Sequence, residues 1–153
     1  MRVFLDANVV LDVLANREPF IRDSAAILSL VESRKLEGFV AVHTVTTLFY
    51  FLRRDLGGAK ARVILMDLLR VVEIVGVDQD RIFQALAMDW DDFEDAVQAS
   101  CAAKVEADFL LTRDKKGFRG SHVPVLSPAE FVALHSGNVE KHSQPNRTAD
   151  SSP

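Results

Sequence analysis

One stretch of the chain concentrates acidic residues: Asp89-Trp90-Asp91-Asp92-Phe93-Glu94-Asp95, in which five of seven side chains carry a carboxyl group. It leads directly into the small-residue segment 96–103, so these acids stand at the start of a predicted helix. The helix dipole stabilises each acid in a first turn by ~0.3 to 1 kcal/mol, which accounts for one or two of them. Neighbouring carboxylates repel and raise one another's pKa, whereas a divalent cation holds them ionised side by side. The stretch therefore predicts a metal site.

Apolar segments on both sides of this stretch alternate between strand and helix patterns. Strands are predicted at 2–6, 39–42, 71–75 and 108–112, with a short edge strand at 123–126 because proline cannot donate to a central ladder. Helical spacing occupies the intervals, and a capping box, Ser127-Pro128-Ala129-Glu130, starts a last helix that is predicted to end near His135. The order predicts an α/β domain whose mainly parallel sheet of four to five strands is covered on both faces.

Length and composition set limits on the class of protein. The chain has 153 residues, of which 48% are hydrophobic and 26% charged, as expected for one globular domain. No apolar run approaches the ~20 residues that cross a bilayer, and the N-terminus lacks the apolar stretch of a signal peptide. A cytoplasmic location with no membrane segment is therefore expected.

Two predicted strands end on polar residues. Asp6 closes the first strand, and Thr112-Arg113-Asp114 closes the fourth. Ligands of parallel sheets bind beyond the carboxyl ends of strands, so Asp6 and Asp114 become site candidates together with Asp95 of the acidic stretch. Asp95 is the acid expected to face inward, since the alanines that follow it let the helix approach the sheet closely.

Each candidate also has a plainer interpretation. Asp6 would make a good N-cap for a helix that begins near Val9. The amide of Asn8 either hydrogen-bonds Asp6 or caps the same helix, and capping is the favoured role when Asn8 is considered by itself. Asp114 is of a residue type common in turns. On position alone these alternatives stay open.

The net charge of −4 argues against general affinity for polyanions, because phosphate neutralisation needs clustered Lys and Arg. A nucleic-acid substrate would require a metal and a local basic patch. Two patches are candidates, one formed by Arg53, Arg54, Lys60 and Arg62 and one by Arg113, Lys115, Lys116 and Arg119.

Five short elements occur in a fixed order along the chain: Leu5-Asp6-Ala7-Asn8-Val9, Asn16-Arg17-Glu18-Pro19-Phe20, Asp92-Phe93-Glu94-Asp95-Ala96-Val97-Gln98, Leu111-Thr112-Arg113-Asp114 and Val125-Leu126-Ser127-Pro128. Their order and spacing resemble a PIN domain, the nuclease fold of the VapC-type toxins, in the branch with an Asp-Phe-Glu-Asp element. The resemblance covers about residues 1–134 and implies a three-layer α/β/α domain over residues 1–135. Residues 136–153 contain one valine, no aromatic residue and many Ser, Asn, Asp and Pro residues, so a disordered tail is predicted there.

This resemblance implies a Mg²⁺- or Mn²⁺-dependent endoribonuclease with Asp6, Asp95 and Asp114 as its catalytic and metal-binding acids. Hard oxygen ligands suit such cations. Asn8 and Thr112 would support the site, and the guanidinium of Arg113 would offset charge on the phosphate.

The sequence departs from the family pattern at one place. Many PIN domains carry a further acid in the third helix, but 44–52 contains none, and Thr46 or Thr47 stands at the expected position. Asp92 or Glu94 is then the candidate for an additional metal ligand. Otherwise the metal is held weakly and activity is low.

Two other functions compete with the nuclease. A phosphohydrolase of the haloacid-dehalogenase type also begins with a strand-end aspartate, but it needs a second aspartate where Asn8 stands. A catalytically weak or inactive PIN domain that binds RNA or protein is the stronger alternative.

The resemblance also implies partners beyond the RNA substrate. A toxin of this kind would have an antitoxin protein covering its acidic crevice, and the chain is expected to form a homodimer or higher homo-oligomer. The stretch 48–52, Leu48-Phe49-Tyr50-Phe51-Leu52, is a candidate interface, although core is the ordinary role for any one of these residues.

Overall fold

The structure is a computed structural model that describes residues 1–142. Its strands are β1 (Arg2–Leu5), β2 (Glu37–Ala41), β3 (Glu73–Val75), β4 (Phe109–Leu111) and β5 (Val125–Leu126). Its helices are α1 (Ala7–Leu14), α2 (Ile21–Glu32), α3 (Val42–Leu56), α4 (Gly58–Leu68), α5 (Gln79–Ala87), α6 (Phe93–Lys104) and α7 (Pro128–His142), with a 3-10 turn at Lys115–Phe118. All strands pair in parallel in the order β3-β2-β1-β4-β5, which confirms the predicted α/β class.

The sheet separates two hydrophobic cores because successive strand side chains point to opposite faces. In β1, Val3 and Leu5 join the core beneath α1, α2, α3, α4 and α7, whereas Phe4 joins the core beneath α5 and α6. These three β1 side chains are fully buried. The result is the predicted three-layer arrangement.

Strand order also locates a crevice. From central β1 the chain builds outward to β2 and β3, and it then returns to the opposite side of β1 to form β4 and β5. The order therefore reverses between β1 and β4, where Leu5 pairs with Leu111. Ligands of open parallel sheets bind beyond the carboxyl ends of strands at such a reversal, and Asp6 and Thr112 are the next residues on these two strands.

Helix α6 brings the acidic stretch to the same edge of the sheet. Crossover helices run antiparallel to the strands, so the start of α6 lies near the carboxyl ends of β1 and β4. Its buried face is built from small residues, among them Ala96, Ala99 and Ala102. Small side chains let the helix lie close to the sheet, as predicted for Ala96 and Ala99; the same prediction for Ala103 is wrong, because Ala103 is exposed.

Three local predictions can be compared with the structure. The capping box is present, since Ser127 Oγ accepts from Glu130 N at 3.2 Å and Glu130 Oε2 accepts from Ser127 N at 2.8 Å. The end predicted near His135 is wrong, because α7 continues to His142, so residues 136–142 are helical rather than part of a disordered tail. The rest of the predicted tail, 143–153, lies outside the described residues.

Strand β3 is shorter than predicted. It spans only Glu73–Val75, because the chain at Val71 and Val72 still closes the turn after α4, with both amides donating to Leu68 O. In the described part of the chain, no helix is long and apolar enough to cross a membrane.

Candidate active site

Asp6 lies at the carboxyl end of β1 with its carboxylate held by three side-chain donors. It is 7% exposed. Thr112 Oγ1 donates to Oδ2 at 2.7 Å, Asn8 Nδ2 donates to the same oxygen at 2.8 Å, and Gln98 Nε2 donates to Oδ1 at 3.0 Å. Asp6 occupies the N-cap position of α1, as the capping interpretation predicts, but its side chain makes no capping hydrogen bond to the helix. The carboxylate is instead fixed in orientation at the sheet edge.

The residues that hold Asp6 are themselves connected to the loop after β4. Asn8 Oδ1 accepts from Arg113 N at 3.3 Å, so this amide bridges Asp6 to the loop rather than capping α1. Thr112 Oγ1 accepts from Asp114 N at 3.0 Å while it donates to Asp6. The backbone position of Asp114 is thereby tied to the carboxylate of Asp6.

Asp95 lies in the first turn of α6 and is the most buried member of the acidic stretch, as predicted. Burial first, then the negative charges of Asp92, Asp6, Asp114 and Glu94, raise the pKa of Asp95 from 3.8 to about 7. The influence of Asp6 and Asp114 places the three predicted acids in one electrostatic cluster. This cluster of Asp6, Asp95 and Asp114 is called the acidic crevice below.

The other acids near Asp95 have separate tasks. Asp92 is the N-cap of α6, and its Oδ1 accepts from Asp95 N at 3.2 Å. Glu94 turns toward α3, where its Oε1 lies 3.8 Å from His43 Nε2. Asp92 therefore has a capping role that explains its position, and Glu94 is the acid that faces the third helix.

Gly117 closes one side of the acidic crevice. A Cβ at this position would clash with Asp95 Oδ2 and lie 3.7 Å from Asp114 Oδ2. The 3-10 turn that contains Gly117 thus passes against the carboxylate of Asp95 and brings exposed Asp114 toward it. Any larger residue would displace the carboxylate.

Arg113 is placed differently from what its expected role requires. Its Nε and Nη2 donate to the two carboxylate oxygens of Asp12 at 2.7 and 3.1 Å, and the guanidinium lies 4.1 Å from the ring centroid of Phe20. The carboxylate of Asp12 is fully buried. The pair anchors the loop after β4 to α1 and so fixes the residues on either side of Arg113.

The third helix has no carboxylate at the place where the family pattern expects one. Thr44 is buried, and Thr46 and Thr47 line a cavity that they share with His43 and Glu94. Burial lowers the pKa of His43, and the charges of Glu94 and Asp6 oppose that shift. His43 is therefore within electrostatic reach of the acidic crevice.

The chemistry of the acidic crevice suits a hard divalent cation. Asp6, Asp95 and Asp114 offer carboxylate oxygens, which Mg²⁺ and Mn²⁺ prefer. A carboxylate has about four acceptor sites, so Asp6 keeps roughly one beyond those that its three donors occupy. Among the described residues, no group of three or more His, Cys, Asp or Glu side chains converges enough to hold a metal ion. Mg²⁺ usually keeps several waters and binds one or two carboxylates directly, so its binding does not require three converging side chains.

Ion pairs engage two of the four cations in the basic patch after β4. Lys115 Nζ lies 2.7 Å from Glu130 Oε1, and Arg113 is engaged by Asp12. Lys116 and Arg119 are exposed and, within the described part of the chain, form no ion pair. These two cations remain available beside Gly117 for an anionic ligand.

Sequence reasoning did not give a role to Gln98, Asp12 or Gly117. Gln98 is one turn after Asp95 on the face that α6 presents to the sheet, and this spacing is a signal that was available. Asp12 and Gly117 had no local signal, because their partners lie elsewhere in the chain.

Comparison with known proteins gives one family for this architecture. The model of the PIN domain matches residues 2–116. Ribonuclease VapC1 of Aquifex aeolicus (strain VF5) is 24% identical over 135 residues, which cover 85% of this chain and 92% of the relative.

Solved structures of similar proteins share the fold. A toxin-antitoxin complex from Klebsiella pneumoniae matches with a TM-score of 0.64 at 19% identity, covering 82% of this chain and 97% of that one. Mycobacterium tuberculosis VapC20, described as a sarcin-ricin loop cleaving toxin, matches with a TM-score of 0.63 at 18% identity, covering 79% and 96%. VapBC2 of Rickettsia felis, bound to a DNA fragment from its promoter, gives 0.63 at 16% identity, covering 83% and 98%.

Proposed function

The chain belongs to the PIN domain family, and on that premise we propose that it is a metal-dependent endoribonuclease that hydrolyses phosphodiester bonds of RNA. The observation that carries the proposal is the acidic crevice at the reversal of strand order, where burial and then the charges of neighbouring carboxylates raise the pKa of Asp95 to about 7. Such crowding of unneutralised acids is typical of functional sites.

The acids of the crevice would bind the metal ion. Asp6, Asp95 and Asp114 would hold Mg²⁺ or Mn²⁺, with Glu94 rather than the capping Asp92 as an additional ligand. When bound, the cation supplies positive charge to phosphate oxygens and acidifies water.

The neutral residues around the crevice position its acids. Thr112 and Asn8 orient Asp6 and hold the loop that carries Asp114. Gly117 has no Cβ, which lets the 3-10 turn pass directly against the carboxylate of Asp95. Lys116 and Arg119 would contact RNA phosphates, a task for which Arg113 is less suited because Asp12 engages its guanidinium.

The toxin role and its partners belong to the same proposal. The relatives include VapBC complexes and a toxin-antitoxin complex, so we expect an antitoxin protein to cover the acidic crevice of this chain in the cytoplasm. We also expect a homodimer or higher homo-oligomer. Of the candidate interface 48–52, Leu48 and Leu52 are core residues and only Tyr50, 65% exposed, is broadly open to a partner.

The test is cleavage of labelled RNAs while Mg²⁺ or Mn²⁺ is titrated, with Asp95→Asn as the variant. Removing one ligand charge is expected to lower the rate at least ~100-fold, equal to ~2.7 kcal/mol in the barrier. Asp91→Asn is the matched control, because Asp91 is an exposed acid of the same stretch that does not act on the pKa of Asp95. Equal RNA cleavage rates for Asp95→Asn and Asp91→Asn would contradict the assignment of Asp95 to the metal site.

The missing third-helix acid supports one competing function, a PIN domain that binds RNA or protein without cutting. Folded wild-type protein that binds no Mg²⁺ or Mn²⁺ by calorimetry and cuts none of several RNAs would favour this binding module.

A further inference from the structure

We propose that a cavity beside the acidic crevice receives one unpaired nucleobase of the RNA, next to the phosphate that is cut; this inference rests on the proposed nuclease function. The cavity has a volume of about 320 Å³ and lies between the start of α3 and the start of α6. Ligand pockets span ~300–1,000 Å³, so this one accommodates a single ring system rather than a length of nucleic-acid chain.

The walls of the cavity match the two surfaces of a base. Its apolar lining includes Val77, Ile82 and Val97. Phe93 also lines it, and 43% of this residue's surface is exposed, so part of its ring is open to a ligand. Unpaired bases of RNA stack on aromatic side chains of this kind.

The cavity also has polar lining groups that can hydrogen-bond the edge of a base. These are His43, Thr46, Thr47 and Glu94, and Glu94 Oε1 lies 3.8 Å from His43 Nε2. Within the described residues, the buried Nε2 of His43 has no hydrogen-bond partner. Donors and acceptors in an otherwise apolar slot can read the edge of a stacked base.

Charge argues for a base rather than a phosphate. The residues that line the cavity include no Lys or Arg, and Glu94 is the one acid among them. A phosphate would therefore find no cation in this cavity, whereas a neutral ring needs none. The cations that suit phosphate, Lys116 and Arg119, lie instead on the 3-10 turn side of the acidic crevice.

The cavity lies beside the proposed site of cleavage, although none of Asp6, Asp95 and Asp114 lines it. Phe93 and Glu94, which do line it, directly precede Asp95 in the first turn of α6, and the charge of Asp6 acts on the pKa of His43. We therefore expect an RNA strand with one phosphate at Asp95 to place a neighbouring base at Phe93. The short Thr47 side chain, in a region where many PIN domains carry an acid, keeps that space open.

The experiment scans one RNA oligonucleotide with a single abasic nucleotide at each position in turn. Binding is measured with Ca²⁺ replacing Mg²⁺, and cleavage of the intact oligonucleotide is measured in Mg²⁺ or Mn²⁺. For the wild type, one position beside the cut is expected to weaken binding about tenfold, since stacking on an aromatic ring is lost there. Phe93→Leu should bind the intact RNA about tenfold more weakly and show no further loss at that one position, whereas Phe93→Tyr should behave as the wild type.

The control is Phe83→Leu, because Phe83 is 59% exposed on α5 and does not line the cavity. It should leave the positional pattern unchanged, and thermal melting verifies that each variant is folded. Cleavage and RNA binding with no position coupled to Phe93 would overturn the base pocket and leave the nuclease standing. If Phe93→Leu weakens only a complex with the antitoxin, the occupant is a protein side chain and the inference is overturned. Failure of the wild type to bind or cut RNA would overturn both proposals.

Discussion

The carboxylates on the two sides of the acidic crevice lie in opposite electrostatic environments. On the side of β1 and β4, Asp6 has three side-chain donors and Asp12 has a bidentate arginine. On the side of α6, Asp95 faces other acids and its pKa rises to about 7. On the first side, folding alone supplies each carboxylate with hydrogen-bond or ion-pair partners. On the second side, the described residues do not neutralise the negative charge.

The difference indicates which side is scaffold and which awaits a ligand. Buried charges cost stability unless they are paired, so the β1–β4 side stabilises the fold through its pairs. Unneutralised acids cost stability, and a protein retains them where function needs them. Changes on the two sides should consequently alter stability with opposite sign.

The largest effect is expected for Arg113→Ala on the donor side. It leaves the fully buried carboxylate of Asp12 without its partner and should lower the free energy of unfolding by about 3 kcal/mol. Chemical denaturation measures this loss. Arg70→Ala is the control, since it breaks a surface pair with Asp67 whose side chains are 74% and 64% exposed and should change stability little. Similar losses in the two variants would remove the distinction between scaffold pairs and surface pairs.

A smaller loss is expected for Thr112→Val, which keeps the side-chain shape but removes the hydroxyl. The variant deletes the 2.7 Å donor to Asp6 and the acceptor for Asp114 N, and should destabilise the fold by ~1 to 3 kcal/mol. The same denaturation experiment applies, with Ser33→Ala as a control because its hydroxyl makes an exposed bond within its helix end. An unchanged midpoint in Thr112→Val would show that the donors of Asp6 are dispensable.

The smallest effect, and the only gain, is expected for Asp95→Asn without divalent cations. Because the folded pKa of Asp95 is raised, the folded state binds more protons than the unfolded one, and wild-type stability falls as pH rises from about 4 to 7. The variant lacks that penalty. The free energy of unfolding of Asp95→Asn should equal that of the wild type near pH 4. Above pH 7 it should be ~1 kcal/mol larger, after allowance for solvent screening of a half-exposed group. Thermal melting at several pH values measures the difference, and a variant less stable than the wild type at pH 8 would reverse the assigned sign.

The sequence predicted the local features of this molecule well. The alternating apolar segments, the capping box at Ser127 and the acids at the start of α6 all depend on neighbours within a few residues. Local patterns also explain the two boundary errors: Val71 and Val72 are β-branched yet close a turn, and the polar residues after His135 still continue α7.

Contacts between distant segments could not be read in the same way. Gln98 reaches Asp6 across 92 positions, and Arg113 reaches Asp12 across 101. Arg113 looked suited to phosphate because the sequence shows its charge but not its partner. The three predicted acids nevertheless lie near one another, since strand ends and the helix start meet at one edge of a parallel sheet.

The central claim is that the acids around Asp95 are arranged for a cation, and its most direct test is an NMR titration of the Asp95 carboxyl carbon with and without Mg²⁺. The account predicts a pKa near 7 in the absence of the cation and a marked fall when Mg²⁺ is saturating, because the cation favours the ionised form. An ordinary pKa near 3.8 without cation, or a raised pKa that Mg²⁺ leaves unchanged, would contradict it.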